Sequence, residues 1–228
     1  MDIQICNTVP KLFWHHVENH ADEISIWQKQ QGAWESVTWG EYGDFVKDIA
    51  NALLDAGIQR ADKVSIISLT RFEWVVVDLA IMSIGAITVP VYPSNTEEQV
   101  HYILDHSQSK FVFAEDQEQL DKMMKIRSGL RDVQQTVVFD KYQLEIIEKV
   151  ISLDTFREKG STFRRGNPEM LKKSIDGGNP QDTISFIYTS GTTGHPKAGL
   201  INSENVLAVA KHLTDLFEIT QNDMSIAY

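Results

Sequence analysis

Cysteine occurs once in the 228 residues, at Cys6. A lone cysteine forms no internal disulfide, so the fold does not rest on oxidation, and a reducing, cytosolic setting is expected. Basic residues are also scarce: 21 Lys and Arg stand against 32 Asp and Glu, a formal charge of −11. A general nucleic-acid binder carries a basic face, so that class is excluded, although a local positive site for phosphate is not. Long apolar runs are missing too. The start, MDIQICNTVPKLFWHHVENH, has neither the basic opening nor the apolar stretch of a signal peptide. The most apolar segment, Trp74 to Val91, is broken by Asp78, Ser83 and Gly85 and runs into Pro90. A membrane span needs ~20 mostly apolar residues, so this segment reads as a buried helix running into a strand. Peripheral membrane contact stays open. There is no repeat of fixed period and no low-complexity tract.

What is present alternates. Ile24–Trp27 and Trp34–Val37 flank a Gln-Gln-Gly turn and read as a hairpin. Thr38 with Glu41 three residues on fits a capping box. Tyr42, Phe45, Val46, Ile49 and Leu53 follow at helical spacing, with Gly57 as a stop. Strands are expected at 64–69, 86–91, 111–114 and 136–139, and helices at 72–84, 97–105 and 117–126, the second of these capped from Ser94 or Asn95. Unalternated apolar strands spaced by helices predict an α/β fold: a mainly parallel sheet with helices on both faces. The Gly- and Pro-containing stretch from Gly160 to Pro180 reads as a surface excursion or a linker, with Arg164-Arg165 as a solvated loop pair rather than a phosphate site. His16 and His20 stand four apart, but no third ligand has convincing spacing, so they read as surface packing. Asp105-His106 falls at a helix end, where His suits the dipole. The five tryptophans read as core and hairpin packing.

One stretch asks for chemistry. "YTSGTTGHPKAGL", Tyr188 to Leu200, follows the apolar run at 184–187. Glycine lets backbone amides approach a phosphate closely, and small hydroxyls add donors without bulk. Lys197 adds a point charge, and Pro196 restricts the chain just before it. The position, after a strand, is where open α/β sheets hold ligands. The spacing is neither Walker A nor GxGxxG. The residues alone therefore define a polyphosphate loop and no particular nucleotide.

The ordered string Tyr188-Thr-Ser-Gly-Thr-Thr-Gly-His-Pro-Lys197 resembles the signature loop of the AMP-forming adenylating enzymes, with Pro180-Gln-Asp-Thr-Ile-Ser-Phe-Ile resembling their lead-in. The run from Thr38 to Asp116 resembles the N-terminal region of bacterial long-chain fatty acyl-CoA synthetases. It includes Gly85-Ala86, Val89-Pro90-Val91-Tyr92-Pro93 and Glu98-Gln99-Val100. The resemblance runs from about Pro10 to Tyr228. It implies that ATP and a fatty acid give acyl-AMP and pyrophosphate, and that CoA then displaces AMP. It assigns phosphate contact to Thr189, Ser190, Gly191, Thr192, Thr193, Gly194 and Lys197. Mg²⁺ falls to an early hydroxyl, Thr189 or Ser190, with Thr189 taken as the ligand. Two departures stand out: Ala198 precedes Gly199 where the family has Gly directly after the Lys, and Ser203 occupies the His place in Asn202-Ser203-Glu204-Asn205.

Val206, Ala210, Leu213 and Phe217 form an apolar stripe at helical spacing, Asn222-Asp223 reads as a turn, and Met224 to Tyr228 reads as the start of another buried strand. The resemblance implies a full length more than twice this. It makes residues 1–228 the N-terminal part of the large domain, without the later Mg²⁺-binding Glu, the ribose-binding Asp, or the small C-terminal domain with its catalytic lysine. The expected function is thus a fragment of a fatty acid–CoA ligase, inactive alone and served by a complementing C-terminal fragment. The alternatives are a non-catalytic nucleotide-binding module, one half of a split enzyme, or a decayed gene product.

Overall fold

The computed structural model describes residues 6–30, 32–140, 147–189 and 196–226. Helix α1, Val9–Asn19, starts at the side-chain cap Thr8. Strands β1, Ile24–Gln30, and β2, Ala33–Thr38, pair antiparallel as a separate two-stranded ribbon, as the turn signal predicts. Its inner face packs Ile26 and Val37 on the core. Trp27 and Trp34 lie on the outer face and are exposed, so the expectation that every tryptophan packs is corrected: Trp14 is buried and Trp39 and Trp74 lean on the core, but the ribbon's pair does not.

Helix α2, Trp39–Asp55, begins with the expected box: Glu41 N–H donates to Thr38 Oγ1 at 3.2 Å and Thr38 N–H to Glu41 Oε2 at 2.9 Å. It ends where Gly57 takes φ +82°, a left-handed turn that costs glycine nothing. The alternation that follows is β3 Lys63–Ile67, α3 Phe72–Ser83, β4 Ile87–Val91, α4 Glu97–Ser107, β5 Ser109–Ala114, α5 Gln117–Ile126 and β6 Gln135–Val138. Then come β7 Val150–Ser152, α6 Leu153–Gly166, α7 Met170–Asp176, β8 Thr183–Thr189, β9 Lys197–Asn202 and α8 Ser203–Leu216. The main sheet has seven strands in the order β7-β6-β5-β3-β4-β8-β9. All its pairings are parallel except β8 with β9.

Side-chain alternation along the central strands separates two cores. Val64, Ile66, Phe111 and Phe113 face one side, packed with α2, α3 and α6 residues such as Ile49, Val77 and Phe156. Ile67, Val112, Val89 and Val91 face the other, with Val100 and Leu104 of α4 and Met123 of α5. The sheet is therefore covered on both faces, which is why its strands carry apolar residues at successive positions. Among the described residues no helix is long and apolar enough to cross a membrane.

Four expectations are corrected. Residues 160–180 are mostly helical, not a loop or linker: α6 runs through Gly160 because that glycine lets α2 approach, a Cβ there falling 1.8 Å from the Asp48 carbonyl oxygen. Arg164 is on this helix, 3.4 Å from Asp48 and 3.7 Å from Asp44, so it is an ion-pair partner rather than a solvated loop residue. The cap of α4 is Thr96, not Ser94 or Asn95; its hydroxyl and the Gln99 side chain close a second capping box. Residues 224–226 are not a strand, and Met224 and Ile226 are exposed. In α8 the helical spacing holds, but the buried positions are Ser203 and Leu207, while Val206, Leu213 and Phe217 face outward.

Candidate functional site

The β8–β9 hairpin carries the loop. Register pairs Thr183 with Asn202, Ser185 with Ile201 and Tyr188 with Ala198, and ends with Thr189 opposite Lys197. The first and last of the assigned phosphate residues are thus neighbours at the mouth of the hairpin, on one face of the sheet. Both side chains are exposed. Ser190, Gly191, Thr192, Thr193 and Gly194 lie outside the described residues. β8 is parallel to β4 with Ser185 beside Thr88. Thr189 ends β8 and so lies at the carboxyl edge of the parallel strands, where open α/β sheets present ligands.

The crevice at that edge between β3 and β5, where successive connections part, is filled by charge. Arg71 lies 2.7 Å from Glu73, 3.7 Å from Glu115 and 2.8 Å from Asp140, and the Leu69 N–H donates to Glu115 Oε2 at 2.8 Å.

Helix α4 supports the hairpin from one side. Phe186 and Tyr188 of β8 pack on its apolar cluster. His106 Nδ1 lies 2.7 Å from the Tyr188 hydroxyl, and the Tyr102 hydroxyl donates to the Pro196 carbonyl at 3.2 Å. Burial first, and then the nearby Tyr102, push the Tyr188 hydroxyl up to about 12, so it keeps its proton at neutral pH. Sequence reasoning gave His106 a dipole role only and passed over Tyr102. The available signal was a Tyr and a His at i and i+4, which share a helix face.

On the other side, α3 brings Asp78 to β4, where the Thr88 hydroxyl donates to Asp78 Oδ1 at 2.6 Å. Desolvation raises this carboxyl to about 6 against the Thr88 hydrogen bond, although part of the residue's surface reaches solvent. In the 202–205 string, Asn205 N–H donates to Asn202 Oδ1 at 2.8 Å and Asn202 N–H to Asn205 Oδ1 at 3.1 Å, the cap that starts α8, while the departing Ser203 is buried and accepts from the Val9 N–H at 3.3 Å.

His16 stacks on Trp39 at 4.9 Å and His20 sits 2.8 Å from Glu23, the packing expected of them. Among the described residues no group of three or more His, Cys, Asp or Glu could hold a metal ion. Mg²⁺ favours oxygen donors and is commonly shared between one or two protein oxygens, water and substrate phosphates. The exposed Thr189 hydroxyl at the strand end is a donor of that kind.

An open, mostly parallel seven-stranded sheet covered by helices and ending in the β8–β9 hairpin defines an α/β domain. The model of the AMP-binding enzyme family matches residues 13–228, and the chain belongs to that family. Among curated proteins it is similar to the long-chain-fatty-acid–CoA ligase ACSBG2 of Xenopus laevis, 25% identical over 97% of this chain and 31% of that protein. It is also similar to the long-chain-fatty-acid–CoA ligase FadD15 of Mycobacterium tuberculosis, 29% identical over 88% of this chain and 32% of that protein. The chain spans about a third of the length of these relatives. Among solved structures, the anthranilate CoA ligase AuaEII in complex with anthranoyl-AMP superposes with a TM-score of 0.76 at 20% identity, over 92% of this chain and 38% of that one. A fatty acyl-adenylate ligase from L. pneumophila in complex with acyl adenylate and pyrophosphate gives 0.71 at 17%, over 96% and 34%. These two likenesses show the fold.

Proposed function

We propose that residues 1–228 are the N-terminal part of the large domain of a long-chain fatty acid–CoA ligase. The reaction is ATP plus fatty acid to acyl-AMP and pyrophosphate, followed by displacement of AMP by CoA. The observation that carries this reading is the register of Thr189 against Lys197 at the carboxyl edge, in a chain of the AMP-binding family. Lys197 supplies positive charge to the β- and γ-phosphates. Thr189, Ser190, Gly191, Thr192, Thr193 and Gly194 supply hydroxyl and amide donors. Thr189 is the protein oxygen offered to Mg²⁺, and the ion's chemistry there is to spread the charge of the departing pyrophosphate. The fatty acid reaches a cytoplasmic enzyme from a membrane surface by peripheral contact.

On this reading the catalytic lysine belongs to the part of the ligase that follows residues 1–228, and the chain alone is expected to bind nucleotide without turnover. The coverage of about a third of each relative supports a second reading, a nucleotide-binding half that acts with a complementing C-terminal polypeptide. Pyrophosphate release from ATP, a long-chain fatty acid and CoA tests both. The expected result is no release by the purified chain and recovery when the C-terminal two thirds of a related ligase is added. Turnover by the purified chain overturns the fragment reading.

A further inference from the structure

One helix holds both ends of the phosphate loop. Tyr102 and His106 are a turn apart on α4 and their rings stack, centroids 5.4 Å apart and planes at 27°. His106 reaches Tyr188, the residue before Thr189, and Tyr102 reaches the carbonyl of Pro196, the residue before Lys197. Helix formation does not require either contact. α4 has its own cap at Thr96 and Gln99, and is seated by Val100, Ile103 and Leu104, which are buried. His106 is itself exposed, so its place over Tyr188 is not set by its own burial. The Tyr188 ring meets it edge-on, centroids 5.7 Å apart.

We infer that Tyr102 and His106 are positioning residues for a nucleoside triphosphate: they fix Tyr188 and Pro196, and through them the separation and direction of Thr189 and Lys197. The inference rests on the nucleotide-binding reading above. The physical gain is preorganisation. When Tyr188 and Pro196 are tied to one rigid helix, Thr189 and Lys197 lose less freedom on meeting phosphate, so more of the interaction energy appears as affinity. The two ties act on opposite strands of the hairpin, so cutting either one frees one side of the mouth.

The test uses the full chain and four variants: Tyr102→Phe, His106→Ala, His106→Asn and Lys197→Ala. Tyr102→Phe removes one hydroxyl and keeps the ring stack. His106→Asn keeps a polar atom near the place of Nδ1. The first readout is MgATP affinity by calorimetry, with thermal unfolding as control. The expected result is a loss of about three- to tenfold for Tyr102→Phe and for His106→Ala, the fold-change of one net hydrogen bond. His106→Asn is expected within about twofold of the unaltered chain on the same scale, with unfolding midpoints unchanged. If the chain binds MgATP, Lys197→Ala weakens it, and the α4 variants match the unaltered chain, the inference falls and the function stands. If the unaltered chain binds no MgATP, the nucleotide reading falls. Amide exchange at Tyr188, Thr189 and Ala198 then decides the brace separately. Faster exchange in Tyr102→Phe supports it, and unchanged exchange overturns it.

Discussion

Lys197 sits directly across the antiparallel ladder from Thr189, with both side chains exposed at the end of the sheet. That pairing makes the charge and the first hydroxyl of the loop a single feature, although seven residues separate them along the chain. Lys197→Ala removes the cation without disturbing a packed group. The expected outcome is a fall in MgATP affinity of about 10- to 100-fold, the range of a hydrogen bond to a charged group, with no change in unfolding midpoint. Calorimetry and a thermal melt check the two halves of this statement. Equal affinity for Lys197→Ala and the unaltered chain removes Lys197 from the site.

Helix α4 offers a prediction about which of three adjacent residues does the capping. Ser94, Asn95 and Thr96 are all good cap types, but only Thr96 accepts from Gln99 N–H while Gln99 Oε1 accepts from Thr96 N–H. Thr96→Ala is expected to cost about 1 kcal/mol of stability. Ser94→Ala and Asn95→Ala should each fall within about 0.5 kcal/mol of the parent, the usual range for surface changes. Urea unfolding of the three variants distinguishes them. An equal loss at Asn95 places the cap one residue earlier.

The central sheet was legible because its strands lie between two layers of helices, which forces buried runs such as Phe111 to Ala114 and Val64 to Ile67, the latter interrupted only by Ser65, which is buried 2.6 Å from the Ser109 hydroxyl. The box at Thr38 was legible because a cap is a local device that needs no distant partner. What escaped depended on partners. Gly160 and Gly166 read as breakers, yet Gly160 is a contact point between α2 and α6, and Gly166 simply closes α6. β9 contains Lys197, Gly199 and Asn202 and has little strand character of its own; it forms by pairing with β8. Leu213 and Phe217 keep helical spacing but face outward, because spacing fixes which residues share a face and not what covers it. At the candidate site, the order of residues 188–200 was enough to single the stretch out, whereas the α4 contacts at Tyr188 and Pro196 join residues 82 and 94 positions apart.

Close approach of α2 and α6 makes Gly160 the most sensitive single position in that layer. A Cβ on residue 160 would lie 1.8 Å from the Asp48 carbonyl and 2.7 Å from the Ala52 nitrogen, both backbone atoms that cannot rotate away. The helices must separate, which also draws Phe156 from its edge-on packing against Phe113 at 5.7 Å. Overpacking of this kind costs about 1–3 kcal/mol or more. Gly160→Ala is expected at the upper end of that range, against the small gain that Ala brings to a helix at an open site. Gly166→Ala, where a Cβ meets nothing within 4 Å, is the control and should be close to neutral. Chemical denaturation that finds Gly160→Ala as stable as the parent contradicts the packing described for α6.

Asp78 ties stability to pH between the α3 layer and the sheet. Burial raises its carboxyl from 3.8 to about 6, with the Thr88 hydrogen bond opposing the shift. The folded chain therefore holds this proton more tightly than the unfolded chain does. Between about pH 4 and pH 6 the folded state binds more protons, so this residue's contribution to stability falls as pH rises. Below the unfolded value the contribution is fully present, and above about 6 it is gone. The shift corresponds to at most about 3 kcal/mol. Asp78→Asn keeps an acceptor for the Thr88 hydroxyl and removes the ionisation. At pH 7.5 the variant is expected to be about 1–2 kcal/mol more stable than the parent, within that bound, and at pH 4 the two should converge. Urea unfolding at the two pH values reads the difference directly. The same loss from pH 4 to 7.5 in parent and variant would mean that Asp78 ionises freely in the folded chain, and that the carboxyl beside Thr88 is hydrated rather than enclosed.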